Sequence, residues 1–129
     1  MRILLVEDDE RIVQFMKRGL EAEEYHVDAV LDGRKGIELA KSSGYDGVIL
    51  DVYLPEKNGL EVCKAIREQR LMIPILMMTA KDSPEIQKQC FLAGANDYLP
   101  KPFSFEVLLS KIGKWGPAST PFPPSANPS

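Results

Sequence analysis

Five short apolar runs punctuate the chain: Arg2–Val6, Val27–Leu31, Gly47–Asp51, Ile73–Met78 and Asn96–Leu99. None alternates strictly between apolar and polar residues, which is how strands buried on both faces of a parallel sheet read. Between them the pattern takes on a helical period. Ile12, Phe15, Met16 and Leu20 share one face of the first helical segment, with Asp9 as its N-cap. Asp32 and Gly33 open the second, which presents Ile37 and Ala40. Asn58 followed by Glu61 makes a capping box for the third, with Val62, Cys63 and Ile66 inward. Ser83 and Pro84 start the fourth, and Gly94 stands at its end. Ser104 opens the fifth, whose apolar stripe is Leu108, Leu109 and Ile112. Five strand–helix alternations predict an α/β domain with a doubly wound five-stranded parallel sheet, order 2-1-3-4-5, and five helices. Pro100 removes a ladder donor, so the fifth strand is expected at an edge or already ending.

The last stretch differs in kind. Gly116–Ser129 holds five of the ten prolines, no charged residue and no periodic pattern. It reads as a flexible linker or tail after one domain at residues 1–115. The chain is 44% hydrophobic and 27% charged, values of an ordinary soluble domain. A net charge of −3 argues against a general nucleic-acid surface. Charged residues interrupt every apolar run, so no membrane span is expected, and Met1 leads straight into the first strand, leaving no room for a signal peptide. Cys63 and Cys90 form no metal or disulfide pattern, and both read as core thiols of a cytoplasmic protein.

The candidate chemistry sits at the ends of strands, where ligands gather in such sheets. Glu7, Asp8 and Asp9 follow the first strand, Asp51 closes the third, Thr79 ends the fourth, and Lys101 follows the fifth. Strands one and three are neighbours in the expected order, so their acids converge and repel. A hard divalent cation relieves that repulsion, and Mg²⁺ takes one or two carboxylates together with water and phosphate oxygens. Each residue taken singly has a plainer account. The first acids suit a helix N-terminus, and Lys101 suits a solvated loop tip. Four such coincidences at four strand ends are needed to dismiss them together.

These residues resemble the receiver domains of two-component response regulators, the CheY-like fold. The resemblance spans about residues 2–114 and rests on Leu5-Val6-Glu7-Asp8-Asp9, Leu50-Asp51-Val52-Tyr53-Leu54-Pro55, Asn58-Gly59, Met78-Thr79-Ala80 and Lys101-Pro102-Phe103, in order. It implies that Asp51 accepts a phosphoryl group from a histidine kinase, a phosphotransfer protein or a small acyl phosphate. Asp8 would bind Mg²⁺ directly, with Mn²⁺ as a substitute. Glu7 would bind it mainly through water, joined by Asp51 and the Tyr53 carbonyl. Lys101, Thr79 and Ala80 would contact the phosphoryl group. Lys101 would contact Asp51 in the free site, across a cis bond to Pro102. Thr79 and Tyr98 would form the switch, read out on the fourth helix, fifth strand and fifth helix. Such a domain is a signalling phosphoacceptor that catalyses only its own phosphorylation and dephosphorylation.

The segment Gly94–Ser104 is similar to receivers joined to winged-helix transcription regulators, which often dimerise through ion pairs on that face. Asp97 and Lys111 match one pair, whereas Gln87 and Val107 stand where another belongs, so a symmetric homodimer is left open. No basic recognition helix follows, and the chain alone is not expected to bind DNA. His26, the sole histidine, lacks the helical setting of a phosphodonor and reads as structural. Two rivals share the layout. A haloacid-dehalogenase-type phosphohydrolase needs an acid two residues after its nucleophile, where Tyr53 stands. A flavodoxin-like flavin binder needs a Ser/Thr/Gly-rich phosphate loop where Glu7, Asp8 and Asp9 stand.

Overall fold

The computed structural model describes residues 1–42, 44–69 and 71–115, so the expected tail at 116–129 lies outside the described residues. The elements run β1 (Arg2–Val6), α1 (Glu10–Ala22), β2 (His26–Val30), α2 (Gly33–Lys41), β3 (Gly47–Asp51), α3 (Gly59–Glu68), β4 (Ile75–Thr79), α4 (Pro84–Ala93), β5 (Asp97–Pro100) and α5 (Phe105–Gly113). The strands form one parallel sheet in the order β2-β1-β3-β4-β5. Both faces of the central strands are buried, which explains their unbroken apolar character.

Alternate residues feed two cores. Leu4, Val6, Val48, Leu50, Ile75 and Met77 pack with Ala40 of α2, Val62, Cys63 and Ile66 of α3, and Cys90 and Ala93 of α4. Ile3, Leu5, Val27, Ile49, Leu76, Met78 and Leu99 pack on the other face with Val13, Met16 and Leu20 of α1 and Leu108 and Ile112 of α5. Each fully buried aliphatic side chain contributes about 1.5–3 kcal/mol relative to exposure.

Local signals stop and start the helices where expected. Asp9, Asp32 and Ser104 accept from the backbone N–H groups of Arg11, Lys35 and Val107. Asn58 and Glu61 complete a reciprocal capping box, with bonds of 2.9 and 3.0 Å. Ser83 caps α4 ahead of Pro84, and Gly94 ends it in the left-handed region at φ 111°. β4 begins at Ile75 rather than Ile73, because Pro74 has no N–H to give the ladder, although its carbonyl accepts from Val48. β5 lies at the sheet edge and ends on Pro100.

One packing expectation is corrected. Val13, not Phe15, turns into the core from α1, while Phe15 stays 58% exposed with its ring edge-on to Phe105 at 5.9 Å. The reason is Gly19, where a Cβ would come within 2.6 Å of Phe105: that ring lies directly on the α1 backbone and draws Phe15 sideways. Ile37, half-buried, and Ala40 both pack on the core as expected, and the glycines of α2, Gly33 and Gly36, face inward beside them. Trp115 lies against Gly47 at the start of β3, where a Cβ would meet its ring at 2.3 Å.

The sheet ends opposite the candidate site are tied by Arg67 on α3. Its guanidinium donates to the carbonyls of Gly94, Leu71 and Ile73 and to Asn96 Oδ1, at 2.7–2.9 Å. Asn96 Oδ1 also accepts from Ile75 N–H, so one fork joins the ends of α3 and α4 to the starts of β4 and β5. Replacing it leaves several half-buried acceptors without their donor. Arg67→Met is expected to lower stability by about 2–4 kcal/mol in urea unfolding, with Arg67→Lys recovering less than half; an unchanged midpoint would contradict the fork's role.

Candidate functional site

Four strand ends deliver the site. Glu7 follows β1 and is held by its N–H to Val30 O at 3.1 Å. Asp51 is the last residue of β3, and Val52 N–H continues the ladder to Met78 O at 2.8 Å. Thr79 ends β4, and its carbonyl accepts from Lys101 N–H at 2.7 Å, which fixes the start of the loop after β5. The Lys101–Pro102 bond is cis, as the resemblance implies.

At the centre lies the Lys101 ammonium. Nζ donates to Glu7 Oε1 at 2.8 Å and lies 3.3 Å from Asp51 Oδ2. Glu7 is 1% exposed and Asp51 4%, so both charges are nearly out of water. The expected Lys101–Asp51 contact is present, but the shorter contact is to Glu7. The signal for this was available: an acid continuing a fully buried strand needs a cation. Glu7 Oε2 also accepts from Asp9 N–H at 3.1 Å, and Asp51 Oδ1 from Tyr53 N–H at 3.3 Å.

Burial pushes the Asp51 carboxyl up to about 7, and the charge of Glu7 adds to this, against the opposing pull of Lys101 and the Tyr53 N–H. Burial draws the Lys101 ammonium down, but the hydrogen bond to Glu7 and the charges of both acids outweigh it, so its pKa is raised. One oxygen each from Glu7, Asp8 and Asp51 lies within 4.8 Å of the others, with Asp8 exposed to solvent. One internal ammonium does not neutralise three carboxylates, and an all-oxygen donor set open to water on one side suits a hard divalent cation. The residues therefore fit Mg²⁺.

Other expected site residues are placed as follows. The Thr79 side chain is fully buried, and its hydroxyl both donates to Lys81 O and accepts from Lys81 N–H, each at 2.9 Å, rather than bonding to Asp51. Ala80 lines an open cleft of about 500 Å³ with Ile12, Phe15, Lys101, Pro102 and Phe103. The Tyr53 ring is exposed. Tyr98 is half-buried, and its hydroxyl donates to Asp82. Asp97 and Lys111 pair within the chain at 3.0 Å. His26 is exposed at the start of β2, 3.3 Å from Asp28 Oδ1, away from the acid cluster.

One residue of the site had a motif but no role. A Cβ at Gly59 would sit 2.1 Å from Asp51 O and 2.8 Å from Val52 Cα, so α3 begins in contact with the backbone that carries Asp51. Gly59 N–H also donates to Val52 O at 2.8 Å. Only a glycine permits that approach. Glu56, in the same loop, holds a positive φ of 65°.

A family model for the response regulator receiver domain matches residues 3–113. The response regulator MprA of Mycolicibacterium vanbaalenii is 42% identical over 112 residues, covering 87% of this chain and 48% of MprA. The chain thus spans about half the length of that relative. Among solved structures, the chemotaxis protein CheY4 of Vibrio cholerae is 35% identical with a TM-score of 0.83, covering 88% of this chain and 96% of its own. The receiver domain of the sensor histidine kinase PA1611 of Pseudomonas aeruginosa, with a magnesium ion coordinated in its active-site cleft, is 33% identical with a TM-score of 0.82, covering 88% and 95%.

The buried charge has a measurable sign. An acid whose folded pKa lies above its unfolded value gives up its proton more readily when unfolded, so its contribution to stability falls as pH rises from the ordinary carboxylate range to about 7. Asp51→Asn is expected to raise stability in chelator, on the order of 2 kcal/mol near neutral pH, and less near pH 5. Urea unfolding at both pH values checks this; a less stable variant, or a gain larger at low pH, would contradict it.

Proposed function

This chain belongs to the response regulator receiver domains, with their CheY-like fold, and on that footing we propose that it takes a phosphoryl group onto Asp51 from a kinase phosphohistidine or a small acyl phosphate. The observation that carries the reading is the Lys101 ammonium held between Glu7 and Asp51, beside a carboxylate cluster suited to a divalent ion.

An Asp51 carboxylate oxygen attacks phosphorus, forming a P–O bond as the P–N bond to the donor imidazole breaks. The electron pair leaves with the imidazole nitrogen, which takes up a proton. Lys101 turns from Glu7 and Asp51 toward the incoming phosphoryl oxygens, countering charge that develops in the transition state. Asp8, Glu7 and Asp51, with the Tyr53 carbonyl, would hold Mg²⁺. The bound ion supplies further positive charge to those oxygens, and Mn²⁺, equally suited to oxygen ligands, is expected to substitute. The cleft between Phe15 and Pro102-Phe103 opens beside Lys101 and would admit the donor histidine.

The product carries nearly two negative charges and attracts the Thr79 hydroxyl, with the Ala80 N–H as a further donor. Tyr98 follows, and α4, β5 and α5 carry the altered surface to a partner, either within a transcriptional regulator or from a stand-alone receiver. With Asp97 and Lys111 already paired in one chain, a homodimer across that face would require them to exchange partners. No helix among the described residues is long and apolar enough to cross a membrane. A cytoplasmic site of action follows from the proposed donor. Tyr53 stands two residues after Asp51, where a phosphohydrolase needs an acid, so turnover of external phosphoesters is not part of the proposal.

Incubation with acetyl phosphate and Mg²⁺, followed by intact mass, is expected to add one phosphoryl group, and Asp51→Asn or omission of the metal to abolish it. Equal phosphorylation of Asp51→Asn would place the acceptor elsewhere.

A further inference from the structure

We propose that Asp82 is a positioning residue, a latch that holds Tyr98 in its resting orientation and so sets how readily the domain adopts its phosphorylated arrangement. The inference rests on Asp51 as phosphoacceptor and on Thr79 with Tyr98 as the switch, and adds the residue that restrains that switch.

Two holds converge on the Tyr98 ring. Its hydroxyl donates to the Asp82 carboxylate, and its edge meets Phe91 of α4, with ring centroids 6.5 Å apart and planes at 77°. The same hydrogen bond raises the pKa of the Tyr98 hydroxyl, because the acceptor carboxylate favours the protonated phenol. The Tyr98 backbone lies in β5 opposite Met77 of β4, so rotation of the ring requires the carboxylate to release it while the strand stays in place.

Asp82 is in turn placed by Thr79. The Thr79 hydroxyl closes a turn on Lys81 through two bonds, one to each side of that residue, and Asp82 is the next residue along. A Thr79 hydroxyl that turns its one proton to a phosphoryl oxygen gives up the bond to Lys81 O, and its movement toward that oxygen draws it away from Lys81 N–H. The turn that presents Asp82 then opens, its carboxylate moves off the Tyr98 hydroxyl, and the ring is free to turn. The three residues form one chain of contacts from the phosphoryl site to the outer face: Thr79 to the Lys81 backbone, Asp82 to Tyr98. Asp82 is exposed and pairs with neither the acid cluster nor Lys101, so this chain is its contact route to the phosphoryl site.

Removing the latch enlarges the fraction of free protein already in the competent arrangement, and apparent affinity for a phosphoryl mimic rises by that factor. The experiment is a titration of the full chain with beryllofluoride and Mg²⁺, together with the fluorine resonance of fluorotyrosine at Tyr98. Asp82→Ala is expected to tighten apparent affinity roughly three- to tenfold and to move the free-state resonance toward its beryllofluoride-bound position. Asp82→Asn keeps an acceptor and should give a smaller change. In a Tyr98→Phe background, Asp82→Ala should change nothing further.

Parent-like binding and an unmoved resonance in Asp82→Ala would overturn the latch. So would equal gains in Asp82→Asn and Asp82→Ala, or a gain that persists without the Tyr98 hydroxyl, since either marks only the field of a lost charge. A parent chain that binds no beryllofluoride would instead overturn the phosphoacceptor reading beneath it.

Discussion

One ammonium held between two nearly dehydrated carboxylates is the interaction on which the rest depends. Lys101 meets Glu7 at 2.8 Å and Asp51 at 3.3 Å, while Asp8 brings a third acid to the same place. Burying two carboxylates costs several kcal/mol, and a single cation offsets it incompletely. Burial, and after it the charge of Glu7, keeps Asp51 above its ordinary titration range, and the cluster stays short of positive charge. A site built for stability alone would pair each acid or replace it with an apolar side chain. On the proposed function, that unmet charge is what a second cation fills, and Lys101 follows the incoming anion.

Holding such a cluster together requires a frame that does not relax. Parallel pairing sets the ends of β1, β3, β4 and β5 beside one another, and the two cores clamp those strands from both faces. Gly59 lets α3 start in contact with the Asp51 backbone, so Asp51 cannot back away from Lys101 without moving a helix. At the other end of the sheet, the Arg67 fork fixes the beginnings of β4 and β5, the strands that carry Thr79, Tyr98 and Lys101. Rigidity at that end leaves motion to the β4–α4 turn, where side-chain contacts from Thr79 and Tyr98 join the Ser83 cap in holding the chain.

Much of this was legible in the chain. Short apolar runs without alternation marked strands buried on both faces, and the caps Asp9, Asp32, Asn58, Ser83 and Ser104 marked helix starts to the residue, because both signals are local. The strand-end acids and Lys101 were legible because the topology brings them to one edge. What escaped depends on side-chain direction across long separations. Phe15 fits the apolar face of α1, yet Gly19 admits Phe105 and turns it outward. Glu7, rather than Asp51, is the nearer partner of Lys101, a difference of half an ångström between residues 94 positions apart. The Asp97–Lys111 pair closes within one chain, a choice that residue types alone leave undetermined.

We propose that Glu7, Asp8 and Asp51 act together as one cation site, with Lys101 as an incomplete internal substitute. Calorimetric titration of Mg²⁺ into the parent and into Asp8→Ala tests it most directly. Asp8 contributes a solvent-facing carboxylate and little to the core, so the variant should fold while losing at least about tenfold in Mg²⁺ affinity. Equal affinity in the two proteins would contradict the account.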